Sequence, residues 1–163
     1  MSKNDISLEE VSLFRQTLAK TTSFFDKDTI CQVDKKHSKF LKYRLILDAT
    51  YSASDKLNYP GSISKKDFKK MQQGTIFIDA TIDLHGKNLE ESCISLANFL
   101  HYHQHKKYLH IIHGKGYGSD SNGMSKLKTQ VAIYLKDHPQ VAAFCSCPQN
   151  FGGTGAVFAR LKQ

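Results

Sequence analysis

Asp83 and His85 stand two positions apart in the stretch IDLHGKNLEE, alternating with apolar Ile82 and Leu84. In an extended strand that alternation sends the two polar side chains to one face. Imidazole titrates near neutrality and suits general acid or base work. A carboxylate beside it can orient the ring, raise its pKa or hold a cation. Gly86 follows at once, where the chain must turn. A second polar-glycine cluster, His113-Gly114-Lys115-Gly116, follows the strand-like run YLHIIH. A third, Gly152-Gly153-Thr154-Gly155, lies near the C-terminus. Glycines let backbone N–H groups face an anion, and a following helix N-terminus adds partial positive charge. GKGYG lacks the G-K-[ST] ending at the spacing of a Walker A loop, so this is not an ATPase signature. Taken singly, each cluster has an ordinary explanation: a hydrogen-bonded structural histidine, a flexible turn, or a tight turn that glycine permits.

The elements that must position these clusters follow from periodicity. FIDATIDL reads as a strand. Asn88 can cap a helix whose residues Leu89, Cys93, Leu96, Ala97 and Leu100 share one face. YLHIIH is the next strand, and the Gly/Ser-rich GKGYGSDSNG leads to a second helix carrying Met124, Leu127, Val131, Tyr134 and Leu135. His138-Pro139 ends that helix. VAAFCSC and AVFARLK are two further strands around PQNFGGTG. The order βαβαββ predicts a two-layer α/β sandwich over residues 75–163. Were the first two strands neighbours, both histidines would arrive at one sheet edge, where ligands of α/β sheets gather. Cys145 and Cys147 form C-x-C and would share a strand face. They could ligate a metal, or be small buried residues.

Ahead of this unit, Ser7 and Glu10 have capping-box spacing, and Leu8, Val11, Phe14 and Leu18 form a helical stripe. Residues 1–20 are thus expected as an amphipathic helix, packed on the chain's own core or docked on a partner. Residues 21–74 read as a basic, partly disordered linker. In it Lys35, Lys36, Lys39, Lys42 and Arg44 interleave with Phe40 and Tyr43, and a short basic helix from Ser64 to Met71 is stopped by Gly74. That stretch could be a solvated tether or a nucleic-acid contact. The chain of 163 residues carries a formal charge of +8, with a pI near 9.3, which favours polyanionic partners. No run reaches the length of a membrane span and no signal-peptide core is present, so a cytoplasmic location without membrane association is expected.

In their order, D-L-H-G, H-G-K-G and G-G-T-G-A resemble the Smr (small MutS-related) domain over residues 75–163. MQQGTIFIDATIDLHG and, more loosely, SLEEVSLFRQTLA are similar to stand-alone bacterial Smr proteins of the SmrA/SmrB type. The resemblance implies an endonuclease that nicks or cleaves DNA or RNA, including mRNA at stalled or collided ribosomes. It makes D-L-H the candidate catalytic element and H-G-x-G the candidate substrate-binding loop. Asp83 and His85 are therefore expected catalytic residues, and His113, by its residue type and place at the same edge, is expected as a second proton-transfer group. Leu84, Gly86, Gly114, Lys115, Gly116, Gly153 and Thr154 are the expected substrate contacts. On RNA the 2′-OH can attack without a metal. On DNA water must attack, and a divalent Mg²⁺ or Mn²⁺ would help. Asp83 is the one evident hard ligand in the motifs, which favours the metal-free RNA route and assigns no metal residue. Expected partners are nucleic acid and, through the N-terminal helix, the ribosome. The rival function is a nucleic-acid or ribosome binding module without catalysis.

Overall fold

The computed structural model describes Leu45 and residues 48–116 and 124–163. The N-terminal helix, the basic-aromatic stretch 35–44 and most of the turn after Gly116 lie outside the described residues. A mixed five-stranded sheet organises the rest, in the order β1-β4-β5-β3-β2. Its strands are β1 (Asn58–Tyr59), β2 (Ala80–Asp83), β3 (Tyr108–Ile112), β4 (Val141–Ser146) and β5 (Ala156–Leu161). The helices are α1 (Lys65–Gln73), α2 (Leu89–Tyr102) and α3 (Lys126–Asp137). β2 and β3 are parallel and joined through α2, whereas β5 pairs antiparallel with both β3 and β4.

Both long helices begin where their caps direct. Asn88 accepts from the Glu91 N–H at 2.8 Å, and Glu90 and Glu91 place negative charge in the first turn of α2. Ser125 caps α3 by accepting from the Lys128 N–H at 3.3 Å. Met124, expected within that helix, precedes its cap and bridges Ser52 instead. The apolar stripes of α2 and α3 lie against one sheet face, where Leu96, Ala97, Leu100, Val131 and Leu135 meet Leu109, Ile111, Val157, Ala159 and Leu161. Those strand residues alternate with Tyr108, Ala156 and Phe158, which face the other side.

That other face is covered too, by α1 of the extension that precedes the sandwich. Met71 of α1 is fully buried there with Cys145, Cys147 and Phe158, and Ile76, Ile78 and Phe151 pack around them. α1 itself runs as its cap and stop signals direct, from Ser64, which accepts from the Asp67 N–H at 3.0 Å, to Gly74 at φ 70°. Burial pushes the thiol of Cys145 up to about 12 and that of Cys147 higher still, so both are protonated core residues at neutral pH.

The stretch from 48 to 64, expected as linker, packs as part of the same body. Tyr59 and Asn58 pair with Phe144 and Cys145 of β4, and Leu57 is 2% exposed. The Thr129 hydroxyl accepts from the N–H groups of Thr50 and Tyr51, both at 3.1 Å. Lys128 is fully buried, and its ammonium donates to the carbonyls of Ser52 (3.0 Å), Ala53 (3.2 Å) and Asp55. Burial lowers its pKa, and the Asp55 carboxylate partly offsets that. Single residues in a stretch with no period carry these contacts, so no periodic pattern marks them. The sequence boundary at residue 75 therefore falls inside the packed unit.

Candidate active site

Because β2 and β3 are parallel with Asp83 opposite Ile112, the two strands end side by side and release their loops at one edge. The first loop is held by a doubly engaged carboxylate oxygen. Asp83 Oδ1 accepts from the His85 backbone N–H at 3.0 Å and lies 2.6 Å from His85 Nδ1. A carboxylate oxygen can only accept, so Nδ1 carries the proton and Nε2 is left as the other functional atom. Burial nudges the Asp83 carboxyl upward, but the hydrogen bonds from the His85 backbone and ring outweigh it and hold it below its ordinary value of 3.8. Asp83 is thus an anion at neutral pH. The His85 side chain is 70% exposed, so a polymer can reach it. Gly86 turns the chain at φ 75°, where an added Cβ would meet nothing but would strain the backbone.

The second loop touches the first. A Cβ on Gly114 would lie 3.4 Å from His85 Cβ. Its hydrogen bonding corrects two expectations. The Gly114 N–H donates to the carbonyl of Gly155 at 2.9 Å, as does the His113 N–H at 3.0 Å, so the Gly114 amide does not cradle a phosphate. His113 is 3% exposed, with Nδ1 donating to the Gly114 carbonyl at 2.8 Å and Nε2 enclosed without a partner. Burial drives its pKa from 6.5 down to about 4, the Gly114 bond opposing and the charge of Lys128 adding. A ring so enclosed and neutral ties the loop through its bond to the Gly114 carbonyl. Gly116 sits at φ 72° against the α3 cap, where a Cβ would fall 2.5 Å from Ser125 Oγ.

The third cluster supports the second from behind. Gly155 leaves no room for a side chain: a Cβ would lie 3.2 Å from the Gly114 carbonyl carbon and 3.3 Å from the Lys115 nitrogen. In this cluster it is Gly155, not among the expected contacts, that approaches the second loop closely. Gly153 is buried in its own turn at φ 58°, donating to the Pro148 carbonyl at 3.1 Å, and Thr154 is half-buried beside it. Leu84 is fully buried in the core, so its side chain cannot be a substrate contact.

A cleft of about 490 Å³ opens over these loops. His85, Gly86, His113, Gly114 and Gly116 form its floor, with Lys87 and Leu89 from the start of α2 and Ser125, Lys126 and Leu127 from the start of α3. The expected contacts Lys115, Gly153 and Thr154 do not line it. Lys87, Ser125 and Lys126 were legible only through the caps: residues flanking a helix N-terminus that follows a parallel strand face the same edge as the strand's last residue. Among the described residues no three His, Cys, Asp or Glu side chains are grouped to share a metal ion.

Comparison with known proteins now bears on the arrangement. The profile of the Smr domain matches residues 82–162. The "Ribosome rescue factor SmrB" of Aliivibrio salmonicida is 30% identical over 179 residues, spanning 99% of this chain and 97% of that protein. The chain belongs to the Smr domain family. Another Smr relative is the "Endonuclease MutS2" of Pediococcus pentosaceus, 27% identical over 134 residues but matched over only 16% of its length. The crystal structure of YdaL, a stand-alone small MutS-related protein from Escherichia coli, has the same fold, with a TM-score of 0.63 at 23% identity over 79% of this chain and 98% of that one.

His113 also gives the Smr fold a pH-dependent stability. The unfolded chain takes up this proton near 6.5, whereas the folded one does so only near 4. Between those values the unfolded state binds more protons, so the contribution is intact above about 6.5 and is lost as pH falls toward 4. Denaturant unfolding from pH 7.5 to 4 should show that decline, at up to about 1.4 kcal/mol per pH unit for one group. His113→Gln should flatten it. His110 and His138, whose pKa values burial also lowers, contribute with the same sign and leave a residual slope.

Proposed function

We propose that this Smr protein is an endonuclease that cleaves RNA, acting in the cytoplasm on mRNA at stalled ribosomes. The observation that carries the chemistry is the Asp83–His85 pair, 2.6 Å apart, with His85 exposed at the floor of a cleft. The ribosomal setting rests on the printed name of the SmrB relative, and endonuclease action on that of the MutS2 relative. Among the described residues no helix is long and apolar enough to cross a membrane.

In this reading His85 Nε2 takes the proton of a ribose 2′-OH while Asp83 holds Nδ1–H and stabilises the imidazolium that forms. The 2′-oxygen attacks the adjacent phosphorus, the bond to the 5′-oxygen breaks, and the leaving oxygen takes a proton from solvent. The upstream product is a 2′,3′-cyclic phosphate and the downstream product has a 5′-hydroxyl. One histidine is the proton-transfer group here, because His113 is enclosed.

End-group analysis of cleaved RNA tests the route. Cleavage should proceed in EDTA, yield a 2′,3′-cyclic phosphate or its opened phosphate, and stop when the cleaved position carries 2′-deoxyribose. A 3′-hydroxyl product, or dependence on added Mg²⁺ or Mn²⁺ with cleavage of the deoxy substrate, would make Asp83 a metal ligand and the reaction hydrolytic. Tight binding without any cut under all these conditions would leave the chain a binding module.

A further inference from the structure

The lysine offered by motif spacing, Lys115, turns away from the cleft: its Cγ would lie 3.2 Å from a Cβ on Gly155, behind the loop. The cations that line the cleft belong to none of the three motifs. Lys87 precedes the cap of α2, is exposed, and donates from Nζ to Ser95 Oγ at 3.1 Å, a neutral partner. Lys126 is the first residue of α3 and half-buried. The two helices start at one sheet edge because they follow parallel neighbouring strands, so the lysines line the cleft from two separate helix starts and His85 lines it from the loop after β2. Among the described residues no carboxylate lines the cleft, although Glu90 and Glu91 stand in the first turn of α2, and the start of α3, whose first turn holds no acidic residue, adds positive potential.

We propose that Lys87 and Lys126 are the phosphate-positioning residues of this protein, each holding one backbone phosphate of a single strand laid across the cleft, so that the phosphodiester between them rests on His85. The proposal rests on the nuclease reading of the cleft and specifies how a chain, as opposed to a mononucleotide, is held. One cation per helix start suits an anion that repeats along a polymer. A lone phosphate would need both on the same side.

The test uses the full chain and a fluorescent 2′-O-methyl oligoribonucleotide, a single strand that cannot be cut by 2′-OH attack. Affinity is measured across NaCl concentrations for wild type, K87Q, K126Q, the double variant and K115Q. Each cleft substitution should reduce the slope of log affinity against log salt by roughly 0.7, and the double by about 1.4, since each removes one single-strand phosphate contact. K115Q should stay closer to wild type than either, as should K69Q on exposed α1. With cleavable RNA, K87Q and K126Q should raise KM more than they lower kcat, and K87R and K126R should restore the wild-type slope. Thermal melts exclude misfolding, and either single variant alone suffices as a reading. An unchanged slope in the folded cleft variants, or a larger change in K115Q, overturns the proposal. Because the probe is not cut, the two readings fail separately. Reduced slopes in K87Q and K126Q beside a wild type that never cleaves would sink the nuclease assignment alone. Unchanged slopes in a protein whose cleavage requires His85 would sink this one alone.

Discussion

His85→Ala should lower the rate of RNA cleavage by about 10²–10⁴-fold, the range a positioned proton-transfer group contributes. The side chain is 70% exposed and, among the described residues, its ring bonds to Asp83 alone, so its removal should leave thermal unfolding and salt-dependent binding close to wild type. Single-turnover cleavage with the protein repurified through a denatured state, to remove contaminating nuclease, is the measurement. Asp83→Asn should cost less than His85→Ala, because Nε2 survives while its tautomer and orientation loosen. A His85→Ala protein that still cuts at the wild-type rate would remove the pair from the mechanism. Equal loss of binding and cleavage would recast His85 as a contact.

Deleting residues 1–64 should abolish cooperative folding, whereas deleting residues 1–44 should not. The longer deletion strips β1 from β4 and takes away the three carbonyls that hold the Lys128 ammonium. It also removes the Tyr51 carbonyl that accepts from the Ser125 N–H at 2.9 Å, at the cap of α3. An unpartnered buried ammonium alone costs roughly 3–5 kcal/mol, a large part of a domain's typical stability of about 5–15 kcal/mol. The shorter deletion leaves every one of those contacts. Thermal melts followed by circular dichroism decide the matter. A sharp transition in the residue 65–163 fragment, matching the longer protein, would show that the linker expectation was sound and the packing of residues 48–59 dispensable.

What was legible in the sequence followed periodicity and caps. The stripe Leu89, Cys93, Leu96, Ala97 and Leu100, and the alternation of Leu109 and Ile111 with His110, describe α2 and β3 because burial on one face imposes a period. The convergence of Asp83, His85 and the loop at 113–116 was legible for the same reason: parallel strands release their loops at one edge. What stayed hidden is held by contacts without a period. The two-residue β1 is too short to alternate. Lys128 reads as one more surface lysine until its carbonyl partners are seen. His113 looks like a twin of His85 in composition, yet enclosure makes it a neutral strut. Lys115 sits within a motif but behind the loop, whereas Lys87 and Lys126 lie outside every motif and line the cleft. Residue type announced the chemistry, and exposure divided the roles.

The position of β5 bears on when activity can arise. This strand lies last among the described strands, yet it occupies the middle of the sheet between β4 and β3. Immediately before it, Gly155 supplies the carbonyl that fixes the backbone of His113 and Gly114. Until β5 is made, the earlier strands have no central partner and the loops of the cleft have no support. N-terminal segments emerge first, but here they must wait for Gly155 and the strand that follows it. The loop edge is thus coupled to the arrival of β5: a chain that has β2 and β3 without it lacks both the central strand and the carbonyl that holds the backbone at 113–114.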